Sequence, residues 1–417
     1  MKTIGLLFGV MAAALPAAVR VDELFDRAGE ALTFADAGGT YRARISGAVE
    51  LEAFFPSEPV SDLVFSDRDA FLNPRLTVFL DAQLGPRWYL FAQARVDRRF
   101  DPADTGDLRP RLDELALRFT PWADGRFNLQ VGQFATVLGQ WARRHTAWEN
   151  PFITAPLPYD NLTAIWDRAA ATSSATLLSW AHVEPVSDAA GVHADKKLRL
   201  PIVWGPSYTT GVAVSGASGH FEYALELKNA TPSSRPKVWN DHGDLWEHPT
   251  VTARVGWSPS PTWSFGLSTS SGTYLLPLAR DSLPPGAHLG DYRQLLLAQD
   301  VSFAWRHWQI WGEIHAARFE VPRVGDADTL AYFVEAKYKF TPQWSAALRW
   351  NQQTFDQIEA MDGRQVRWGR EVWRVDFGPT YRFTPHIQLK VQLSLRHENP
   401  AATRYTHSVA TQLTARF

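Results

Sequence analysis

Short and long connections alternate along this chain, and the alternation constrains its fold more than any other feature. Segments with a period of two, typical of β-strands with unlike faces, fill the sequence from Tyr41 onward. Seven connections are tight, at Gly85-Pro86, Pro121 to Gly125, Ala217-Ser218, Pro259 to Pro261, around Arg306, Thr341-Pro342 and Thr384-Pro385. Eight are long, at 56–74, 100–110, 138–207, 230–248, 272–291, 321–328, 356–369 and 399–403. Together they predict sixteen strands.

The alternation also says which environment each face of the sheet meets. Apolar residues from Trp344 to Trp350 alternate with polar ones such as Arg349 and Asn351. An even strand number, short turns on one side and long loops on the other are typical of transmembrane β-barrels, which close because lipid-facing backbone must be paired. We therefore predict an all-β fold, a transmembrane antiparallel β-barrel of about 16 strands with short periplasmic turns, long extracellular loops and a water-filled lumen.

Two segments leave an eighteen-strand barrel open as an alternative. SSATLLSWAHV at 173–183 and KLRLPIVW at 197–204 have the apolar content of additional strands. Aromatic residues support the barrel, because they flank the short turns as a girdle at the membrane interface would. They are Trp88, Trp122, Phe127, Phe221, Trp257, Trp263, Trp305, Trp308, Phe340, Trp344 and Phe383.

The N-terminus has the features of an export signal. A basic Lys2 precedes an apolar run and small residues, so we interpret 1–18 as a cleaved signal peptide, with a buried helix or membrane anchor as the alternative. Residues 19–40 would form a periplasmic N-terminal segment with a short helix, and 41–417 the barrel. The chain has no Cys, which excludes thiol catalysis, disulfides and covalent c-type haem attachment.

Two stretches carry a resemblance to a known family. The chain ends on YTHSVATQLTARF, and RFNLQVGQFATVLG at 126–139 precedes a long loop. In these stretches the chain resembles bacterial outer-membrane porins, and in architecture the phosphate-selective porin O/P type. The resemblance implies that Tyr405, Leu413 and Phe417 form an assembly signal for the barrel assembly machinery, and that the protein is a homotrimer. It does not carry over phosphate specificity, because that family's basic residues have no assigned counterparts here.

The longest connection is the candidate constriction of the pore. Loops of such length are commonly functional, so we expect 138–207 to fold into the lumen. That would place Arg143, Arg144 and His145 at the narrowest point, with Glu149 or Asp160 opposite. The alternative is an extracellular excursion whose charges are solvated. Other predicted lumen-lining residues are Arg95, Arg118, Glu335, Lys337, Lys339, Arg349, Lys390 and Arg396.

Charge on the inward faces predicts a weak ion preference. Successive residues of a strand point alternately inward and outward, and this alternation assigns eighteen basic and eleven acidic side chains to the lumen. The formal net charge of the chain is only −2. An excess of cations favours anions, unless the charges neutralise one another across strands. The low net charge gives no indication of nucleic-acid binding.

These features predict a channel for passive diffusion of small hydrophilic solutes, located in the outer membrane among lipid and lipopolysaccharide. No HExxH, GxSxG or Gly-rich phosphate loop occurs, so we expect neither an enzyme nor a cofactor. We interpret the loop residues Asp241, His242, Asp244, Glu247 and His248 as solvated rather than as a metal site. Two other functions stay open: a barrel sheath around an electron-transfer partner such as a multihaem cytochrome, and an outer-membrane barrel enzyme.

Overall fold

Sixteen long strands close into one antiparallel barrel in the computed structural model of this protein, which confirms the predicted fold class. The structure describes residues 22–58, 62–63, 70–98, 108–182, 198–240, 243–399 and 404–417. The barrel strands, β1 to β16 in chain order, are Tyr41–Pro56, Phe71–Leu84, Trp88–Asp97, Arg109–Phe119, Asn128–Phe134, Thr209–Ser218, Phe221–Lys228, Thr250–Ser260, Trp263–Thr273, Arg293–Trp305, Trp308–Val321, Gly325–Lys339, Trp344–Phe355, Glu371–Arg382, Ile387–Asn399 and Arg404–Arg416. Strand β16 pairs with β1, which closes the sheet.

The two ends of the barrel differ as the alternation predicts. The turn end carries the short connections, such as 85–87, 219–220 and 306–307, and the loop end carries the long ones. One predicted long connection, 321–328, is wrong, because only 322–324 separates β11 from β12. Asp326 and Asp328 extend β12 instead, and both carboxylates pair with Arg318 across the two strands at 2.7 Å.

The eighteen-strand alternative is also wrong. Ser174–His182 is an α-helix, and in the second segment Arg199 forms an isolated bridge with Trp166 rather than a barrel strand. Residues 183–197 lie outside the described part of the chain. The other short elements are the α-helix Leu157–Asp160, the 3-10 helices Trp141–Arg144, Pro236–Val238, Asp244–Glu247, Pro277–Ser282 and Leu289–Asp291, and a hairpin of Gln357–Glu359 with Gln365–Arg367.

The chain enters the barrel through a short helical segment. Residues 22–31 are helical, and Thr33–Ala35 then pairs with β1. Asp26 contacts His386 at 3.0 Å, which holds the helix at the turn end. The predicted signal peptide, 1–18, lies outside the described residues. No helix in the described ranges is long and apolar enough to cross a membrane.

The two faces of the wall have opposite chemistry. Leu348 and Leu393 on the outer face are about half exposed, whereas Arg349 and Asn351 on the inner face are fully buried. Inward residues also meet their partners in register, because Arg349 lies between Glu335 on β12 and Asp376 on β14. The inner wall is therefore polar but dry over much of its area, so something other than water must cover it.

Substitution on adjacent strands tests this assignment of faces. Leu225 on β7 points outward and is 52% exposed. Ser215 on the neighbouring β6 points inward and lines a cavity of about 480 Å³. With a lipid-facing outer wall, Leu225→Arg should cost roughly 2–4 kcal/mol and Ser215→Arg much less. Urea unfolding of the protein in lipid measures both, and equal losses would contradict the assignment.

The seam between the first and last strands depends on one glycine. Gly47 and Phe417 exchange two backbone hydrogen bonds of 3.1 and 3.0 Å. A Cβ at position 47 would lie 2.6 Å from the Phe417 ring and 2.8 Å from the carbonyl oxygen of Thr77. Both distances are below van der Waals contact, so only glycine lets the ring lie over β1.

We expect Gly47→Val, and separately the deletion of Phe417, to lower the yield of closed barrel. The fraction that migrates as a heat-modifiable band on electrophoresis measures closure. Ala53→Val, at an outward position farther along β1, is the matched control and should close normally. If all three variants close as well as the unchanged protein, the contact between Phe417 and Gly47 has no part in closure.

Candidate functional site

The connection from β5 to β6 lies inside the barrel. We call its described residues, 135–182 and 198–208, the inserted loop. The backbone N–H groups of Gln140 and Trp141 donate to Glu313 on β11 at 2.8 and 2.5 Å. That of Ile153 donates to Gln392 on β15 at 2.7 Å. Because both acceptors are on the inner face, the inserted loop follows the wall inside the lumen, as predicted.

The predicted constriction arginines differ in environment. Arg144 is buried, donates to Glu335 at 2.7 Å and lies 4.3 Å from the ring centroid of Trp311. Arg143 is exposed and pairs with Glu222 at 3.1 Å. Glu335 also faces Arg349 at 3.5 Å. Each predicted cation therefore has a carboxylate beside it, which weakens its field in the lumen.

Asp160 anchors the inserted loop instead of facing Arg143. Its carboxylate accepts a hydrogen bond from Arg374 of β14 at 2.8 Å. The next residue, Asn161, accepts one from Arg396 at 2.8 Å and donates to Gln353 at 2.9 Å. The loop is thus fastened by side chains from three consecutive strands.

His145 lies within the inserted loop, where Tyr208 links it to Gln93 of β3. Its Nε2 is 2.5 Å from the hydroxyl of Tyr208, and that hydroxyl also accepts a hydrogen bond from Gln93 at 3.2 Å. Its Nδ1 is 2.6 Å from the carbonyl oxygen of Ala142. Both ring nitrogens therefore have partners within the protein, and His145 serves the loop's attachment to the wall.

The charges on β1 to β4 pair with one another. Arg75 contacts Glu50 at 2.8 Å, and Arg95 contacts Asp113 at 3.2 Å. Asp113 also accepts from Arg111 at 2.6 Å. The inward-outward alternation does not predict Arg111 and Asp113 as lumen residues. The β3–β4 register shifts between Gln93 and Ala94, and this bulge turns adjacent residues of β4 inward. Two adjacent acids, Asp113 and Glu114, were the available signal.

A hydrophobic cluster occupies part of the loop half of the lumen. Leu138, Tyr159 and Leu200 of the inserted loop are fully buried against wall residues such as Phe319 and Phe333. Where this cluster lies, protein and not water covers the wall, so the lumen is narrower than the prediction of a water-filled interior implies. Space remains in the turn half, where a cavity of about 480 Å³ is lined by side chains that include Phe91, Glu114, Arg118, Gln130, Ser215 and Glu222.

The remaining predicted lumen residues point inward, with different partners. Arg118 donates to Gln130 at 2.9 Å. Lys390 is buried, and its Nζ donates to the carbonyl oxygen of Asn150 at 2.6 Å. Lys337 and Lys339 lie near the turn end, where Lys339 is exposed and Lys337 partly so. The structure thus distributes the predicted pore residues along the wall instead of gathering them in one ring.

Two further groups of predicted residues can be placed. Tyr405 and Leu413 of the last strand are exposed on the outer face, at 58% and 44%, and Phe417 closes the seam. Of the loop interpreted as solvated, Asp241 and His242 lie outside the described residues, and Glu247 pairs with Arg280 at 3.2 Å. Within the described ranges, no three His, Asp or Glu residues come together as a metal site would require.

Comparison with known proteins finds similarity in fold rather than in sequence. No family model and no curated protein sequence matches the chain. Among solved structures, the chain is similar to Salmonella typhi OmpF in complex with daunomycin (TM-score 0.55, 10% identity, 92% of this chain, 100% of that one). It is similar to an anion-selective porin from Comamonas acidovorans (0.54, 10%, 90% and 100%). It also matches the trimer form of OmpT from Vibrio cholerae (0.54, 10%, 91% and 100%). These likenesses establish a porin-type barrel fold.

Proposed function

We propose that the chain forms an outer-membrane channel through which small hydrophilic solutes diffuse passively. The observation that carries the proposal is the inserted loop, which follows the inner wall from β11 to β15 while β1 to β4 keep a charged inner surface of their own. A closed wall with an apolar outer face and a narrowed interior is the construction of a diffusion channel. The porin-type fold supports the same function.

The proposal includes neither catalysis nor an enclosed protein partner. His315 and Glu313, 2.9 Å apart, are both buried between the wall and the inserted loop, where Glu313 holds the loop's backbone. The loop also occupies the space in which a cytochrome would have to sit. We therefore set aside the enzyme and the electron-transfer sheath in favour of the channel.

A weak preference for anions is part of the proposal. Charges in the middle of the barrel are paired, as in Arg144 with Glu335 and Arg349 with Asp376. Lys337 and Lys339 form no ion pair with another described residue and leave positive charge toward the turn end. Fixed charge at a pore mouth enriches the opposite ion, so the preference would arise there and not from Arg143 and Arg144.

The proposed location and partners follow from the proposed channel function. The protein would reside in the outer membrane among lipid and lipopolysaccharide, after export and insertion by the barrel assembly machinery. We also propose a homotrimer, since one of the similar structures is a trimer. Cell fractionation and the mass of the detergent-solubilised protein test location and assembly separately.

Planar-bilayer recording on the purified protein tests the channel function. We expect discrete conductance steps and, in a salt gradient, a reversal potential that favours the anion modestly. Liposomes carrying the protein should swell in solutions of small sugars. If the protein shows the heat-modifiable band of a closed barrel and yet gives neither current nor swelling, the channel is ruled out. A reversal potential that favours the cation would overturn only the anion preference.

A further inference from the structure

Five basic side chains line the part of the rim where the lumen opens at the turn end. They project inward from four strands and form what we call the turn-end cluster: Arg44, Lys337, Lys339, Arg382 and Arg416. Among the residues that the structure describes, none of the five has an acidic partner within 4.0 Å. The cations in the middle of the barrel, such as Arg349, have such partners. The cluster thus holds uncompensated positive charge next to open space.

An indole ring from the inserted loop orders two of these cations. The guanidinium carbon of Arg416 lies 3.9 Å from the ring centroid of Trp148, and that of Arg382 lies 5.1 Å from it. A guanidinium over an aromatic face keeps its N–H edges available for bonds in its own plane. Arg416 uses its Nε to donate to the carbonyl oxygen of Pro385 at 3.0 Å, so its terminal nitrogens stay available.

Trp148 is itself held in place. Lys390 donates to the carbonyl oxygens of Ala147 and Asn150, the second at 2.6 Å, on either side of Trp148 in the chain. Gln388 donates to Ala147 as well, at 2.9 Å. The backbone around the indole is therefore fixed to β15, and the two arginines are ordered before any solute arrives. Such preorganisation lowers the entropy that binding must overcome.

The acidic groups near the turn-end cluster form no ion pair with it among the described residues. Glu149 is exposed and forms no ion pair with another described residue. Asp81 lies opposite Arg44 across the β1–β2 pair, and its carboxylate accepts a hydrogen bond from Tyr89. Asp26 meets His386 at the rim. The two cations at Trp148, Arg382 and Arg416, are therefore not neutralised by an ion pair with a described acid.

We propose that the turn-end cluster is a binding site for small organic carboxylates. The carboxylate would accept hydrogen bonds from Arg382 and Arg416 beside Trp148, because a planar guanidinium edge matches the two oxygens of a carboxylate. Lys337, Lys339 and Arg44 attract the anion from the lumen mouth. The site rests on the proposed channel function. It adds small organic carboxylates as a solute class and the turn-end cluster as the place where they bind.

Calorimetric titration of the full chain in detergent tests the site without requiring any current. The probe is benzoate, and neutral benzamide, which has the same shape, is the control ligand. We expect benzoate to bind and benzamide to bind at least tenfold more weakly. Arg382→Gln with Arg416→Gln should weaken benzoate binding about tenfold, because charge-assisted hydrogen bonds are lost. Inorganic phosphate in a parallel titration should bind more weakly than benzoate.

Two matched variants control for general charge effects. Arg118→Gln removes a lumen cation that lies away from the cluster and donates to Gln130. The affinity of this variant for benzoate should stay within about twofold of that of the unchanged protein. Glu149→Gln removes the nearest acid and should leave binding equal or tighter. Equal binding of benzoate and benzamide, or unchanged binding in the folded double variant, would overturn the site. Benzoate binding in a protein that passes no current would overturn the channel and leave the site standing.

Discussion

Glu313→Ala should release the part of the inserted loop around Gln140 and Trp141 from β11 and raise single-channel conductance severalfold. The Glu313 carboxylate accepts from the backbone N–H groups of Gln140 and Trp141 and from the hydroxyl of Tyr159, at 2.8, 2.5 and 2.5 Å. His315 contacts it too, at 2.9 Å. Alanine leaves three donors from the loop without partners in a dry interface, and each such group costs about 1–3 kcal/mol. It then becomes favourable for this part of the loop to leave the wall, because water can hydrate the three donors.

Conductance in planar bilayers and trypsin cleavage after Arg143 report the release independently. Glu222→Ala is the matched control, because Glu222 meets the loop only through the exposed side chain of Arg143 among the contacts described. Exposed pairs contribute at most about 1 kcal/mol, so this variant should leave the loop in place and change the conductance far less than Glu313→Ala does. If Glu313→Ala keeps the parent conductance and resists trypsin, other contacts hold the loop.

Arg349→Leu should cost about 3–5 kcal/mol and strongly reduce the assembled protein. Arg349, Glu335 and Asp376 are all fully buried. The guanidinium donates to Asp376 at 2.9 Å and to the carbonyl oxygen of Thr154 in the inserted loop at 3.0 Å. Its removal leaves two carboxylates with excess negative charge away from water, which is far costlier than losing an exposed pair.

The temperature at which the folded electrophoretic band disappears measures this loss. Arg126→Leu is the control, since Arg126 and Asp124 form a pair with side chains 61% and 53% exposed. That pair should contribute little, and the control should behave as the parent protein does. Similar effects of the two substitutions would mean that the buried charges around Arg349 are not structural.

The wall was predictable because its information is local. A period of two depends only on neighbours in the chain, so the stretch from Trp344 to Trp350 indicates its two faces without any knowledge of its partners. Breaks in the period are equally local but easily missed. At Asp113 a bulge reverses the parity, and after Val321 a Pro-Arg-Val turn resembles the start of a loop.

The filling of the lumen was not predictable from local patterns. Arg144 finds its carboxylate on Glu335, 191 residues later, and nothing near Arg144 in sequence indicates that pairing. Gln392 shows the same limit, because alternation places it inward correctly, yet it bonds the inserted loop at 2.7 Å instead of facing water. A free cation and a paired one look identical until the opposite wall is known.

The distance in sequence between the inserted loop and its partners has a consequence for folding. The loop's partners on β11 to β15 follow it in the sequence by 154 to 243 residues, so these contacts are all long-range and the loop lies inside a sheet that later strands complete. Strand β1 likewise pairs with β16, at the other end of the chain. The loop must therefore be captured while the sheet is still an open ribbon, and the last pairing encloses it. Withdrawing a loop of this size afterwards would require its buried charges to leave their partners one after another, so closure of the sheet makes the enclosed arrangement persist.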